Sequence, residues 1–187
     1  AGVRLLQLLS SLVLAGCAQR LDIDRAYIAQ GNKAPVEWRK VLERATRGQD
    51  VDYAYLMEER PTLLRYLDWV GKHGPESDSI RESAEDKRLS FLVNAYNAAV
   101  LEGVLRNLPL TSVRDVRHGI FRWRGAGFFV GQKVRVDGEW VSLYHLESHS
   151  IVNRYQEPLL HVALNRASRG APPLKWWGQS DLQAELE

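Results

Sequence analysis

The sequence predicts an α+β fold: a helical N-terminal half packed on a small antiparallel β-sheet or hairpin, with a central buried helix. Three observations carry this. Leu89 to Leu105, LSFLVNAYNAAVLEGVL, is helix-long and almost without polar surface. The residues before it repeat apolar side chains at three- and four-residue spacing. After Pro109 the composition turns to aromatic and β-branched residues with interspersed glycines, as strands require. Helices gathered in one part and strands in another make α+β rather than alternating α/β.

Taken in order, Gln19 to Lys33 carries Asp22, Asp24, Gly31 and Asn32 and reads as a mobile tether, residues 18–34, ahead of a single domain over 35–187. Pro35 opens a helix over Val36 to Arg47 with Trp38, Val41, Leu42 and Ala45 on one face, and Gly48 closes it. Asp50 or Asp52 caps Tyr53 to Glu59, and Pro61 starts a helix through Leu63, Leu64, Leu67 and Val70. Gly71, Gly74 and Pro75 end it. Ser79 with Glu82 and Ser83 with Asp86 both fit a capping box before the central helix, and Asn107 and Pro109 mark its end. Ile120 to Trp123, Gly127 to Val130 and Lys133 to Val141 read as strands. Asp137-Gly138 within the last is a strong hairpin signal, because a type I′ turn needs positive φ at both central residues. Ser142 then caps a helix from Leu143 to about Asn153 with Leu143, Leu146 and Ile151 inward. Pro158 interrupts, Leu159 to Leu164 is a short apolar run, and Asn165 to Pro173 is a loop.

Within the central helix, Leu89, Leu92, Val93, Tyr96, Val100 and Val104 make one apolar face, and Phe91, Ala95, Ala98 and Ala99 extend it round the other side. Such a helix is covered on both sides. The anomaly is Asn94 and Asn97, one turn apart. A buried amide without partners costs about 1–3 kcal/mol, so both must bond to backbone or to polar residues elsewhere, either pinning loops or lining a polar site.

The 187 residues, 45% of them hydrophobic, suit one domain with a substantial core. Twenty-five Lys and Arg against 23 Asp and Glu leave a formal charge of +2, no footprint for nucleic acid. The basic runs at Arg114, Arg117, Arg122 and Arg124, and again at Arg166, Arg169 and Lys175, read as solvated surface. At the start, Arg4 precedes the apolar run Leu5 to Leu14, too short to span a bilayer but suited to a signal-peptide core, and Leu14-Ala15-Gly16-Cys17 follows. This resembles the bacterial lipobox, whose cysteine is acylated and becomes residue one. Residues 1–17 are therefore expected to be a lipoprotein signal peptide with Cys17 as lipidation site, the membrane being reached through its acyl chains. Ala18 stands where an aspartate, by analogy with enteric lipoproteins, retains such proteins at the inner membrane. The expected location is the periplasmic face of the outer membrane. With Cys17 acylated, no thiol or disulfide chemistry remains.

Four blocks then come in a recognisable order: Val51-Asp52-Tyr53; Phe91 to Ala98 (FLVNAYNA); Val141-Ser142-Leu143 with Leu146-Glu147; and His161 to Asn165 (HVALN) with Ala167-Ser168 and Pro172-Pro173-Leu174. From Val51 onward the chain resembles the bacterial and plant proteins carrying the domain of unknown function 547, here as a bacterial lipoprotein member. The family has no established molecular activity. The resemblance implies cysteines directly after the loop asparagine and directly before the proline pair. This chain has Arg166 and Ala171 there, which argues against thiol catalysis, a metal thiolate or a disulfide at those positions. The missing initiator Met leads us to expect a fragment, and the unfinished helical pattern over Asp181 to Glu187 a continuation at the C-terminus.

The residues that can carry chemistry are Asn94 and Asn97, Ser142 and Glu147, and His161, Asn165 and Ser168. Two functions of different class fit them. In the first, a non-catalytic polar groove, with Asn94, Asn97, Ser142 and Asn165 as binding groups, takes an envelope peptide, glycan or partner protein. In the second, a hydrolase of envelope peptide or glycan uses His161 as base, Ser168 as nucleophile, Glu147 as orienter and an asparagine amide as oxyanion donor. No glycine elbow surrounds Ser168. His145 and His149 share a helical face as zinc ligands do, but without a third ligand in the pattern they read as a solvated face, and neither metal nor cofactor is expected. The aromatics Phe121, Trp123, Phe128, Phe129, Trp140, Trp176 and Trp177 read as sheet and core packing, with one of the adjacent pair Trp176-Trp177 expected to be exposed.

Overall fold

The structure, a computed structural model, describes residues 19–20, 33–75, 85–121, 123–156, 160–168 and 170–178. The expected leader with Cys17, most of the expected tether, the Ser79–Glu82 capping box, Ser83 of the second, Pro158 and Asp181 to Glu187 lie outside the described residues. Helices dominate and the strands are short, the α+β arrangement expected. Among the described residues no helix is long and apolar enough to cross a membrane.

β1 (Gln19–Arg20) pairs parallel with Gln132 and Lys133 far along the chain, so these two residues sit on a sheet edge rather than in a free tether. α1 (Ala34–Ala45) opens on Pro35, whose absent N–H is no loss in a first turn, and buries Trp38, Val41, Leu42 and Ala45. It stops two residues before the expected end. Thr46 and Arg47 instead form β2 (Thr46–Arg47), which pairs antiparallel with β3 (Asp50–Val51) across Gly48, at a φ of +63° that only glycine adopts without strain. α2 (Tyr53–Glu58) is capped by Asp52, whose carboxylate accepts from the Tyr55 amide at 2.9 Å. α3 (Arg60–Lys72) buries Leu63, Leu67 and Val70 as expected, but Tyr66 rather than Leu64 completes the face. Leu64 lies about 100° round the helix from Leu63, while Tyr66 at three residues on returns to the same side and stacks on Trp38 at 6.2 Å.

α4 (Glu85–Arg106) is the axis of the molecule, and every residue from Leu89 to Leu105 is buried. α3 lies against it on one side and the residues after Ser142 on another. The Asn107 amide closes the helix, donating to the Gly103 carbonyl at 2.8 Å. Sequence reading overlooked Glu102. That carboxylate, fully buried on α4, takes Arg60 at 2.6 and 3.0 Å and Arg106 at 3.0 Å, so its charge is matched inside the core.

Among the described residues, two of the expected strands are absent. Gly127 to Phe129 belong to a single helical turn, α5 (Ala126–Phe129), entered through Gly125 at φ +82° and followed by Val130. A side chain at Gly127 would collide with the Val116 carbonyl, so close packing against that segment overrides the strand preference of Phe128 and Phe129. In the other stretch only a tight turn forms, bridging His118 and Phe121. The hairpin is as expected: β4 (Gln132–Val136) and β5 (Glu139–Ser142) pair in register from Val136 with Glu139 to Lys133 with Ser142, and Asp137 and Gly138 have φ of +51° and +84°. With β1 on the far edge of β4, the sheet is mixed rather than purely antiparallel.

Ser142 accepts from the His145 amide at 3.1 Å and starts a helical run of α6 (Leu143–His145), a π-helical segment (Leu146–Val152) and α7 (Asn153–Tyr155). Leu143, Leu146 and Ile151 point inward as expected. After α8 (Leu160–Ala163) the chain runs without regular structure to Gly178, back across α4.

Candidate functional site

Ser90, Asn94 and Asn97 follow one another at four and three residues and therefore share a face of α4. All three bond to backbone of the closing segment. Ser90 donates to the Gly178 carbonyl at 2.7 Å, and Asn94 donates to the Trp177 carbonyl at 2.9 Å while accepting from the Trp177 amide at 3.0 Å. Asn97 donates to the Ala163 carbonyl and accepts from the Asn165 amide, both at 2.9 Å. A side-chain amide thus plays the part of a neighbouring strand, satisfying buried groups on both partners. Asn165 continues the stitching, donating to the Pro172 carbonyl at 2.6 Å and accepting from the Ala167 amide at 2.7 Å. The loop is therefore held open in one shape by amides.

Tyr96 leaves the same helix in another direction. Its hydroxyl donates to Glu147 Oε2 at 2.7 Å, and the Arg166 guanidinium pairs with Oε1 of the same carboxylate. Glu147 sits in the π-helical segment with 7% exposure. Burial, reinforced by the Glu147 charge, raises the Tyr96 phenol far above its ordinary value, and the hydrogen bond to Glu147 holds Arg166 protonated. Both carboxylate oxygens have donors, and the guanidinium matches the charge.

Glu147 and Arg166, but not Tyr96, form part of the wall of a cavity of about 710 Å³. His161 and Ser168 line it too, both on exposed stretches, so the three residues expected to carry chemistry face one space. Arg166 and Ala171, where the resembling family carries cysteines, line it as well. Leu160, Leu164 and Pro172 supply apolar wall, and Asn153 and Gln156 add hydrogen-bonding groups. None of Asn94, Asn97, Ser142 and Asn165, expected as binding groups, lines this cavity. Ser142 caps a helix and the three asparagines bond to backbone, since a buried amide or hydroxyl near unpaired backbone groups is satisfied there first.

Residues 80–187 match the family described as protein of unknown function, DUF547. The chain belongs to that family. No curated protein and no solved structure matches it. In this DUF547 chain the match takes in α4, the hairpin, Glu147 and the closing segment, which together hold the whole cavity wall.

Three participants escaped the sequence reading. Ser90 had a signal, since it stands four residues before Asn94 on the same face. Tyr96 reads as core by its spacing, and nothing local tells that its hydroxyl meets a residue 51 positions on. Arg166 was legible as solvated surface and as a missing cysteine, not as the partner of Glu147. His145 and His149 stack with ring centroids 4.7 Å apart and planes at 4°, both exposed. Among the described residues no group of three or more His, Cys, Asp or Glu side chains is placed to hold a metal ion. Of the tryptophan pair, Trp177 is buried and Trp176 is half-buried with its ring edge-on to Tyr66 at 5.7 Å, so neither is an open platform.

Proposed function

We propose that this DUF547 protein is a cell-envelope lipoprotein, anchored through acylated Cys17 at the periplasmic face of the outer membrane, whose cavity binds envelope peptide or glycan without converting it. The observation that supports binding over catalysis is the state of Glu147. Each of its oxygens already accepts a hydrogen bond, from Arg166 and from Tyr96, so it serves as a fixed wall rather than as a base or an orienter awaiting a proton. The side chains at the two cysteine positions add to this: a guanidinium and a methyl group offer no nucleophile. Apolar Leu160 and Leu164 beside Asn153, Gln156 and Ser168 make the mixed lining that peptides and sugars require. The anchor rests on Arg4, the apolar run Leu5 to Leu14 and the Leu14-Ala15-Gly16-Cys17 motif.

Two measurements test the two halves. Radiolabelled palmitate should enter the wild-type protein in a Gram-negative host and not Cys17→Ser; label persisting in that variant removes the lipoprotein reading. For the cavity, calorimetric titration with soluble peptidoglycan fragments should show saturable binding that Ala171→Trp, which fills the space from its half-buried wall, weakens at least about tenfold. Equal binding by both proteins, or none by either, removes the cavity from the function.

A second reading keeps one observation in its favour: His161, Ser168 and Glu147 face the same space. In it, His161 accepts the Ser168 hydroxyl proton as that oxygen attacks an amide or ester carbonyl and passes it to the amine or alcohol that leaves, after which water frees the acyl group from Ser168. Release of smaller fragments by the wild type, lost in Ser168→Ala while fragment binding persists, would establish this hydrolase instead.

A further inference from the structure

We infer that the loop over residues 113–125 is a docking element for a bilayer bearing anionic phospholipid. Its root is fixed: Val113 and Val116 are buried, and the Gly125 amide donates to the Arg114 carbonyl at 2.9 Å, closing the neck. Beyond the neck, Phe121 and His118 exchange backbone hydrogen bonds of 2.9 and 3.4 Å, and Gly119 turns at φ +52°. The turn therefore projects in a defined shape. What it projects is apolar, with Ile120 at 65% and Trp123 at 64% exposure, the two highest values among the large hydrophobic side chains described. The Trp123 ring meets Phe121 edge-on at 6.0 Å, so the aromatic pair, expected to pack in the core, sits outside it.

Charge identifies the occupant. Residues 113–125 contain four arginines and one aspartate, a net +3 against +2 for the whole chain. Arg114, Arg117 and Arg124 are exposed, and among the described residues none of them pairs with a carboxylate; Arg117 instead donates to the Arg114 carbonyl at 2.8 Å. An apolar, tryptophan-bearing turn accompanied by guanidinium groups without carboxylate partners fits the boundary between acyl chains and anionic headgroups, where Trp settles and Arg meets phosphate. A water-filled surround leaves both features unmatched.

The position of the loop agrees with that occupant. His118 packs on Gly131, where a Cβ would stand 3.1 Å from the histidine Cβ, and the next residue, Gln132, pairs with Gln19. Cys17 is two residues before Gln19, a reach of at most about 7 Å along an extended chain. An acyl anchor attached to Cys17 would be tied by this short stretch to the strand beside the loop. The inference rests on the lipoprotein reading only for this proximity, and its own evidence is the loop.

Vesicle flotation of the full-length protein tests it, with phosphatidylcholine alone and mixed with phosphatidylglycerol, at low and at high salt. The expected result is a phosphatidylglycerol-dependent, salt-sensitive increase in partitioning. The triple variant Arg114→Gln, Arg117→Gln, Arg124→Gln should reduce that component by roughly a hundredfold, about fivefold per guanidinium. Ile120→Ser with Trp123→Ser should reduce partitioning while leaving the salt dependence. All five side chains are exposed, so both variants should unfold at the wild-type temperature. Repeated in a Cys17→Ser background, which carries no acyl chain, the difference between the wild-type loop and the triple variant should persist. Partitioning that ignores phosphatidylglycerol, a triple variant that floats like wild type, or a difference that vanishes without the acyl chains each overturns the inference.

Discussion

Two sides of α4 handle buried polar side chains in opposite ways. On one, Ser90, Asn94 and Asn97 end on backbone atoms of residues 163–178. On the other, Tyr96 ends on a carboxylate that a loop arginine also holds. Backbone is common to every sequence, so the first side determines where the closing segment runs whatever side chains it carries. Side chains are replaceable, so the second determines what the cavity presents. The same helix therefore builds a scaffold and tunes a site, and a substitution on each side should separate the two roles.

The largest effect belongs to the scaffold side. Asn97→Leu keeps the volume but removes both hydrogen bonds, leaving the Ala163 carbonyl and the Asn165 amide buried without partners. At about 1–3 kcal/mol for each stranded group, the loss should come to about 3 kcal/mol in urea unfolding. Cavity binding should fall as well, because His161 and Leu164 flank the displaced backbone. A variant that unfolds like wild type would erase the distinction between the two sides.

How much of this was legible follows the same division. The central helix, its all-round burial and the demand of Asn94 and Asn97 for partners came from spacing and from the cost of an unpaired amide, both local to the sequence. So did the Asp137-Gly138 hairpin and the Ser142 and Asp52 caps, which satisfy groups within three residues. What stayed hidden depends on distant packing. The turn of α5 forms because Gly127 meets the Val116 carbonyl, and no propensity encodes that meeting. Glu102 lay in plain view within an apolar run, but its arginine partner Arg60 is 42 residues away. The shared cavity of Glu147, His161 and Ser168 could be named from the sequence, while Arg166 in its wall and the Tyr96 hydroxyl that holds Glu147 could not.

On the tuning side, Glu147→Leu removes the acceptor of the Tyr96 hydroxyl and the partner of Arg166, and should cost about 2 kcal/mol. Arg166 is well exposed and can turn to water, so most of that loss lies with Tyr96. Arg166→Met alone should cost about 1 kcal/mol by leaving a nearly buried carboxylate unmatched. Combining the two should cost less than the sum, since the second change removes the charge the first strands. Strict additivity in a double-mutant cycle would mean the pair is not coupled.

Alkali gives a smaller and graded effect that also divides the sides. Burial raises the Tyr96 and Tyr66 phenols far above the ordinary value near 10. An acid whose folded value is raised keeps its proton while the unfolded chain loses it, so stability is intact below pH 10 and falls above it, by about 1.4 kcal/mol per pH unit for each tyrosine. Urea unfolding between pH 9 and pH 11 should show this fall, and Tyr96→Phe should flatten it while leaving the Tyr66 share. An unchanged slope in Tyr96→Phe would place that hydroxyl in water rather than on Glu147.

Ser142→Ala is the mildest change and the sharpest control. Ser142 begins the run that carries Glu147, yet its hydroxyl only accepts the His145 amide and takes part in neither side of α4. Losing a cap of this kind costs about 1 kcal/mol. The first turn would fray without moving Glu147, because Leu146 and Ile151 remain packed in the core on either side of it. Unfolding should therefore shift by that amount while fragment binding stays at the wild-type level. A binding loss as large as that of Ala171→Trp would mean that the junction itself shapes the cavity, and the division between scaffold and site would have to be redrawn to include it.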